Sequence, residues 1–364
     1  MQGPLAAVAP GNVAATPPAV KKRVQIAPDA KPDGDRKTAK PLPLVGSDML
    51  KAGEWHHEGW QEAAAAGVVP VPAMLQQINH AHVLKVKELG RGQFGTVLLA
   101  RWLGVEVAVK QLLQSGDEKA SAELLREAEL LASLCHPCIT QVYGVMLGPE
   151  GLATVMEFVR GGSLRNCLQQ IKAKGSCPAT LKCAIALKAA RGLEYLHTRH
   201  VVHFDVKAEN LLADLHDHEY PVIKIADMGL SKRSAATTVS GNMRGTLPWM
   251  APELFPTDCN ADGEGDRVTD KVDVFSFGMV MWEIWTLGGM PYTGMKMPQI
   301  FAGVASGMLR PKPLTDAPSE WTAIMEDCWT VDAAERPSFS QVATRLSNLL
   351  ASLRQATGHP LLQS

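Results

Sequence analysis

An α+β fold of two lobes, a small strand-rich one followed by a larger helical one, is predicted from three observations. Strand-type alternation is concentrated at Val83 to Leu89, Thr96 to Trp102 and Glu106 to Gln111. Glycine turns join those segments, and beyond residue 163 helical spacing dominates. Three short β-type pieces interrupt the helical part, at Val201-Val202, Leu211-Leu212 and Val222 to Ala226.

Taken in order, residues 1 to about 50 hold eight of the 24 prolines with many alanines. Such a segment buries too little apolar surface to offset its ordering entropy, so residues 1–74 are expected to be a largely disordered tail. Within it, Trp55, Trp60 and an alanine run suggest a short helix somewhere in 51–74 that packs on the domain. One domain is expected over 75–352, and 353–364 as a C-terminal tail. The segment from about 117 to 134 carries apolar residues at Leu124, Ala128 and Leu131, with Ser115 and Glu118 in capping-box register before them.

The 364 residues are 46% hydrophobic and 20% charged, enough to bury a large core. A formal net charge of -1 argues against nucleic acid or an anionic membrane as the main partner. The longest nearly uncharged run, Val274 to Leu287, contains Glu283 and is too short to span a bilayer, so it reads as a buried core helix. Seven scattered cysteines suit reduced thiols in the cytosol. Cytoplasmic localisation is expected, with Lys21-Lys22-Arg23 either a solvated charge cluster or a nuclear import or docking signal.

Gly90-Arg91-Gly92-Gln93-Phe94-Gly95 is a GxGxxG pattern, which also marks dinucleotide sites. Here Gly95 runs into Thr96-Val97-Leu98-Leu99, a strand and not the helix of a dinucleotide fold, which favours a glycine hairpin lying over phosphates. In Val107-Ala108-Val109-Lys110, alternation puts Ala108 and Lys110 on one face. Lys110 is then either a strand-edge solubilising charge or part of a nucleotide floor. Glu127 weighs for the second, because it lies on the inward helical stripe between Leu124 and Leu131, where a carboxylate needs a cation.

His203-Phe204-Asp205-Val206-Lys207-Ala208-Glu209-Asn210 lies between two short apolar strands, so its polar side chains project from a loop held at both ends. Phosphoryl transfer needs one carboxylate to orient and accept a proton and oxygen ligands for Mg²⁺. Asp205 suits the first role, Asn210 and Asp227 the second, and Lys207 can offset phosphate charge.

From about residue 84 to 350 the chain resembles a eukaryotic protein kinase. The glycine loop, Lys110, Glu127, His203-x-Asp205-x-Lys207-x-x-Asn210, Asp227-x-Gly229, Ala251-Pro252-Glu253, Asp273-Val-Phe-Ser-Phe-Gly278 and Arg336 occur in that family's order. The resemblance implies the bilobal kinase fold, with an N-lobe at about 84–158 and a C-lobe at about 159–352. It also implies ATP with Mg²⁺ (or Mn²⁺) and protein substrates. It places Leu89, Gly90, Gly92, Gly95 and Val97 over the nucleotide, with Ala108, Met156, Glu157, Phe158 and Leu212 around it. Lys110 and Glu127 form the phosphate-positioning pair, Asp205 is the base, Lys207 its neighbouring cation, and Asn210 and Asp227 the metal ligands. It further implies that Glu253 pairs with Arg336 and that Asp273 braces the catalytic loop. Within the family, His203-Phe-Asp-Val-Lys207 and Met243-Arg-Gly-Thr-Leu-Pro-Trp249 resemble the Raf-like branch of the tyrosine-kinase-like group, whose plant and green-algal members are closest. Lys207 and Thr246 match its serine/threonine-specific pattern, and downstream kinases are the implied substrates.

Two positions depart from the family. Phe204 replaces an arginine that clamps an activation-segment phosphate, so the loop is expected to assemble without that clamp, although Ser234, Thr237, Thr238 and Ser240 are available for modification. Met228 replaces a phenylalanine in a stack with Leu131, Val142 and His203, a slot that a flexible thioether fills.

Rivals from other classes are weaker. His197, His200 and His203 suggest a metallohydrolase, but the first two lie along one helix end. Cys135-His136-Pro137-Cys138 lacks a second cysteine pair. The stretch from Asp258 opens like a calcium loop but has Thr269 where a bidentate carboxylate is required. A pseudokinase would lack one of the lysine, base or metal-binding aspartate, and all three residues are present.

Overall fold

The computed structural model describes residues 44–46, 69–71, 74–92, 95–112, 118–148, 151–233, 238–240, 244–255 and 267–356. Residues Pro41–Ser364 form one compact unit. Most of the expected N-terminal tail, the capping-box Ser115 and the acidic stretch from Asp258 to Asp266 lie outside the described residues. Inside that tail, strand β1 (Leu44–Gly46) pairs in parallel with β2 (Val69–Val71), so the end of the 51–74 segment is extended and not helical.

The first lobe is a five-stranded antiparallel sheet in the order β3-β4-β5-β7-β6. Its strands are β3 (Val83–Gly92), β4 (Gly95–Trp102), β5 (Val105–Gln111), β6 (Val142–Gly148) and β7 (Gly151–Glu157). One helix, α1 (Glu118–Ala132), accompanies the sheet. Its stripe Leu124, Ala128 and Leu131 is buried as the periodicity predicts, so the helix is held by packing more than by propensity.

The second lobe contains α2 (Leu164–Lys174) and α3 (Ala179–Thr198), then the short strands β8 (Val201–Val202), β9 (Leu211–Asp214), β10 (Val222–Ile225), β11 (Lys232–Arg233), β12 (Thr238–Ser240) and β13 (Arg267–Thr269). It closes with α4 (Lys271–Trp285), α5 (Met297–Ala305), α6 (Ser319–Cys328) and α7 (Phe339–Ala356). Helix α7 continues past residue 352, where the C-terminal tail was expected to begin. The uncharged run forms α4, buried along almost its whole length, against which α3 and α6 pack. Among the described residues, no helix is long and apolar enough to cross a membrane.

The lobes are joined by backbone as well as by chain. After α1, the Thr140 N–H and hydroxyl both donate to the Ile225 carbonyl, at 3.0 and 2.9 Å, and the Ile225 N–H donates to Cys138 O. Cys135 to Cys138 is therefore a turn that seats the helix-strand connection on β10. Its His136 Nδ1 accepts the Cys138 N–H at 3.1 Å.

Candidate active site

Lys110 stands in the middle of the sheet, where β5 pairs with β4 at Val97 and with β7 at Thr154. Its Nζ donates to Glu127 Oε2 at 2.6 Å and lies 3.6 Å from Asp227 Oδ1. Burial works against the Lys110 charge, but Glu127 and Asp227 outweigh it and hold the pKa above that of a free lysine. Strand alternation and helix periodicity thus bring together three residues from three segments.

The glycine turn joins β3 to β4, with Gly90 opposite Val97 and Gly92 opposite Gly95; Gln93 and Phe94 lie outside the described residues. Leu89 is exposed on β3, and Ala108 is buried on β5 beside Met156 of β7. Glu157 ends β7, and its carboxylate is committed to Lys224 Nζ at 2.8 Å. Phe158 follows it, and Leu212 sits across the cleft on β9, bridged to Ser163.

The catalytic loop is organised by one carboxylate. Asp273, fully buried in the first turn of α4, accepts the His203 N–H at Oδ2 (2.8 Å) and the Phe204 N–H at Oδ1 (2.9 Å). His197 Nε2 meets the same Oδ2 at 3.0 Å, and its Nδ1 lies 3.2 Å from Asp270. Burial alone would lower the His197 pKa, but bonding to both aspartates pushes it up to about 9, so the ring is an imidazolium. His203 Nε2 donates to Ala226 O at 3.1 Å while its Nδ1 accepts the Asp205 N–H at 3.2 Å. That ring ties the loop of Asp205 to the loop of Asp227. Neither histidine is free to act as a metal ligand, and His200 sits at a turn with φ 56°.

Asp205 is held on both oxygens. Oδ2 accepts from Lys207 Nζ at 2.6 Å and Asn210 Nδ2 at 2.8 Å, and Oδ1 accepts from Thr246 Oγ1 at 2.7 Å. Burial raises its pKa, but these bonds outweigh burial and hold it below the usual carboxylate range, so Asp205 is ionised at neutral pH. Lys207 also donates to Thr246 at 2.5 Å, which closes a triangle between the catalytic loop and the activation segment.

The donor set beside Asp205 fits a hard divalent cation. Asn210 Nδ2 uses both hydrogens on Asp205, one on its carbonyl at 2.8 Å, which leaves Oδ1 as the free end of the amide. The Asp227 side chain is 43% exposed. Oxygen donors of this kind suit Mg²⁺.

Several contributors were missed or underused in the sequence. Phe204 and Asp227 adopt φ of 68° and 59°, left-handed conformations that no residue pattern announced. Gly245 has φ 101°, and a Cβ there would lie 2.4 Å from Phe204 O, so the activation segment lies directly on the catalytic loop. Glu283 is fully buried, accepting from Trp249 Nε1 at 2.8 Å and Ala208 N at 3.1 Å, and burial pushes its pKa up to about 8. The signal for it was present as the lone carboxylate of the apolar run Val274 to Leu287. Arg336 meets Glu253 through both terminal nitrogens, at 2.6 and 2.9 Å, the pairing the resemblance implied.

Residues 83–346 match the family model described as protein tyrosine and serine/threonine kinase. The chain is 36% identical over 291 residues to a "Probable serine/threonine-protein kinase" of Dictyostelium discoideum, covering 77% of this chain and 20% of that protein. It is 35% identical to serine/threonine-protein kinase CTR1 of Arabidopsis thaliana, over 74% of this chain and 32% of the relative. With serine/threonine-protein kinase STY46 of Arabidopsis thaliana the identity is 32%, over 77% of this chain and 47% of the relative. The chain thus spans between a fifth and a half of the length of these relatives. A match over most of the chain, on a fold that brings Lys110, Glu127 and Asp227 together and ties the loop of Asp205 to that of Asp227, shows that the chain belongs to the protein tyrosine and serine/threonine kinase family.

Proposed function

We propose that this chain is an ATP-dependent protein kinase that phosphorylates serine and threonine, acting in a Raf-like signalling role with other kinases among its substrates. The observation that carries the reading is the simultaneous closure of the Lys110–Glu127 pair at 2.6 Å and the Asp205–Lys207–Thr246 triangle. Lys110 orients the α and β phosphates, and Glu127 keeps its ammonium in place. Leu89, Val97, Ala108 and Leu212 enclose the base between the lobes, and Met156 limits the depth of that pocket. The ionised Asp205 carboxylate aligns the substrate hydroxyl and accepts its proton as the oxygen attacks phosphorus. Lys207, bonded to the same carboxylate, lies where it can balance charge on the transferred phosphoryl group. Asn210 and Asp227 would hold Mg²⁺, which neutralises phosphate charge when bound. The catalytic domain in this reading runs from residue 75 to the end of α7, and the protein works in the cytoplasm.

The test compares phosphate incorporation into a Ser/Thr peptide library by wild type and Asp205→Asn, with ATP and Mg²⁺ or Mn²⁺. Loss of signal by three orders of magnitude or so in the variant is expected. Equal signal from both proteins defeats the reading.

A further inference from the structure

The sheet order leaves β6 at an edge, where a strand presents unpaired backbone groups. Residues from before β3 cover it. Ile78 N–H donates to Val145 O at 2.8 Å, Val145 N–H donates to Gln76 O at 2.9 Å, and Gln77 bridges Val145 in parallel. The fit is close enough to require glycine at 144, because a Cβ there would lie 2.2 Å from Gln76 O. All of these strap residues precede residue 83, where the family match begins.

The strap has two faces. Leu75, 5% exposed, is buried in the same cluster as Leu124, Leu125, Ala128 and Leu131 of α1. Ile78, equally buried, belongs to a separate small cluster with Val107, Val109 and Val155. Glu127 lies on the α1 stripe between Leu124 and Leu131, and α1 packs on β6, the strand that the strap borders.

We propose that Leu75, held in place by the strap, is a positioning residue of the active site that acts through α1 to keep Glu127 on Lys110. The kinetic part of this proposal rests on the kinase reading; the backbone part does not. Truncating Leu75 leaves a void in the core cluster that also holds the inward stripe of α1, and a helix of four turns held by packing relaxes toward such a void. Truncating Ile78 leaves a void of similar size on the face of the sheet that α1 does not touch.

The experiment compares Leu75→Ala with Ile78→Ala in the full chain, by hydrogen exchange, thermal unfolding and steady-state kinetics. For Leu75→Ala, amides over 124–131 should exchange about tenfold faster, and kcat should fall about tenfold with the KM for peptide unchanged. Leu75→Met should restore both. Ile78→Ala should lower the unfolding temperature comparably while leaving exchange in α1 and kcat near wild type. Should either alanine variant fail to fold, Leu75→Val and Ile78→Val give the same contrast at smaller amplitude. Identical behaviour of the two positions, or a loss of stability at Leu75 with no change in α1 exchange, overturns the proposal. Failure of the kinase reading instead appears as wild type and Asp205→Asn transferring equal phosphate, and leaves the exchange contrast untouched.

Discussion

Raising the pH from 6.5 to 9 should destabilise this protein, and His197 should account for much of the loss. The ring is almost buried between Asp270 and Asp273, and its pKa is pushed from 6.5 up to about 9. A raised pKa means that the folded state binds the proton more tightly than the unfolded chain. The stabilisation is therefore complete below pH 6.5 and disappears as the pH climbs through about 9. At about 1.4 kcal/mol per pH unit, that interval corresponds to roughly 3 kcal/mol. Glu283 acts with the same sign over a lower window: protonated in the fold up to about 8 but ionised above 4.5 when unfolded, it too loses its contribution as pH rises. Urea unfolding followed by tryptophan fluorescence at pH 6, 7, 8 and 9 measures the slope. His197→Gln removes the histidine part, so its stability should fall less steeply between pH 6.5 and 9 than that of wild type. Equal slopes in the two proteins would refute the assignment of an imidazolium at this position.

Three further outcomes are expected. Glu253→Gln strands the buried Arg336 guanidinium on the carbonyls of Thr330, Val331 and Lys271, and should cost about 3 kcal/mol in chemical denaturation. Met228→Phe should raise basal phosphotransfer, because a ring in that buried slot restricts the swing of Asp227; a lower rate would argue that the thioether is the better fit. Alanine at Ser234, Thr237, Thr238 and Ser240 together should leave a folded, active enzyme in a phosphate-incorporation assay, since buried Phe204 replaces the phosphate clamp.

Much of the site was legible because each part follows a local rule. The Val107-Ala108-Val109-Lys110 alternation places one lysine, the Leu124–Leu131 stripe places one glutamate, and a buried carboxylate demands a cation, so their 2.6 Å contact follows. The catalytic loop was legible as a polar run between two strands. What escaped is long in sequence or written in backbone. Nothing in residues 74–79 marks them as an edge cover, because the pairing is made by peptide groups that every residue carries. The left-handed backbone of Phe204, whose N–H is taken by Asp273, runs against the preference of a bulky aromatic residue. His197 looked like one of several histidines until Asp270 and Asp273, far along the chain, closed on it.

Asp273 gathers the end of α3, the catalytic loop and the start of α4 onto a single carboxylate. Its partners His203 and Phe204 lie about 70 residues upstream. During synthesis the ribosome completes Asp205, Lys207 and Asn210 long before it delivers this aspartate. The emerging chain then holds those groups on a loop that still lacks its buried carboxylate brace. The brace can form only after α4 has been made. A chain stalled or cleaved before residue 273 would carry the signature motifs without the activity they announce.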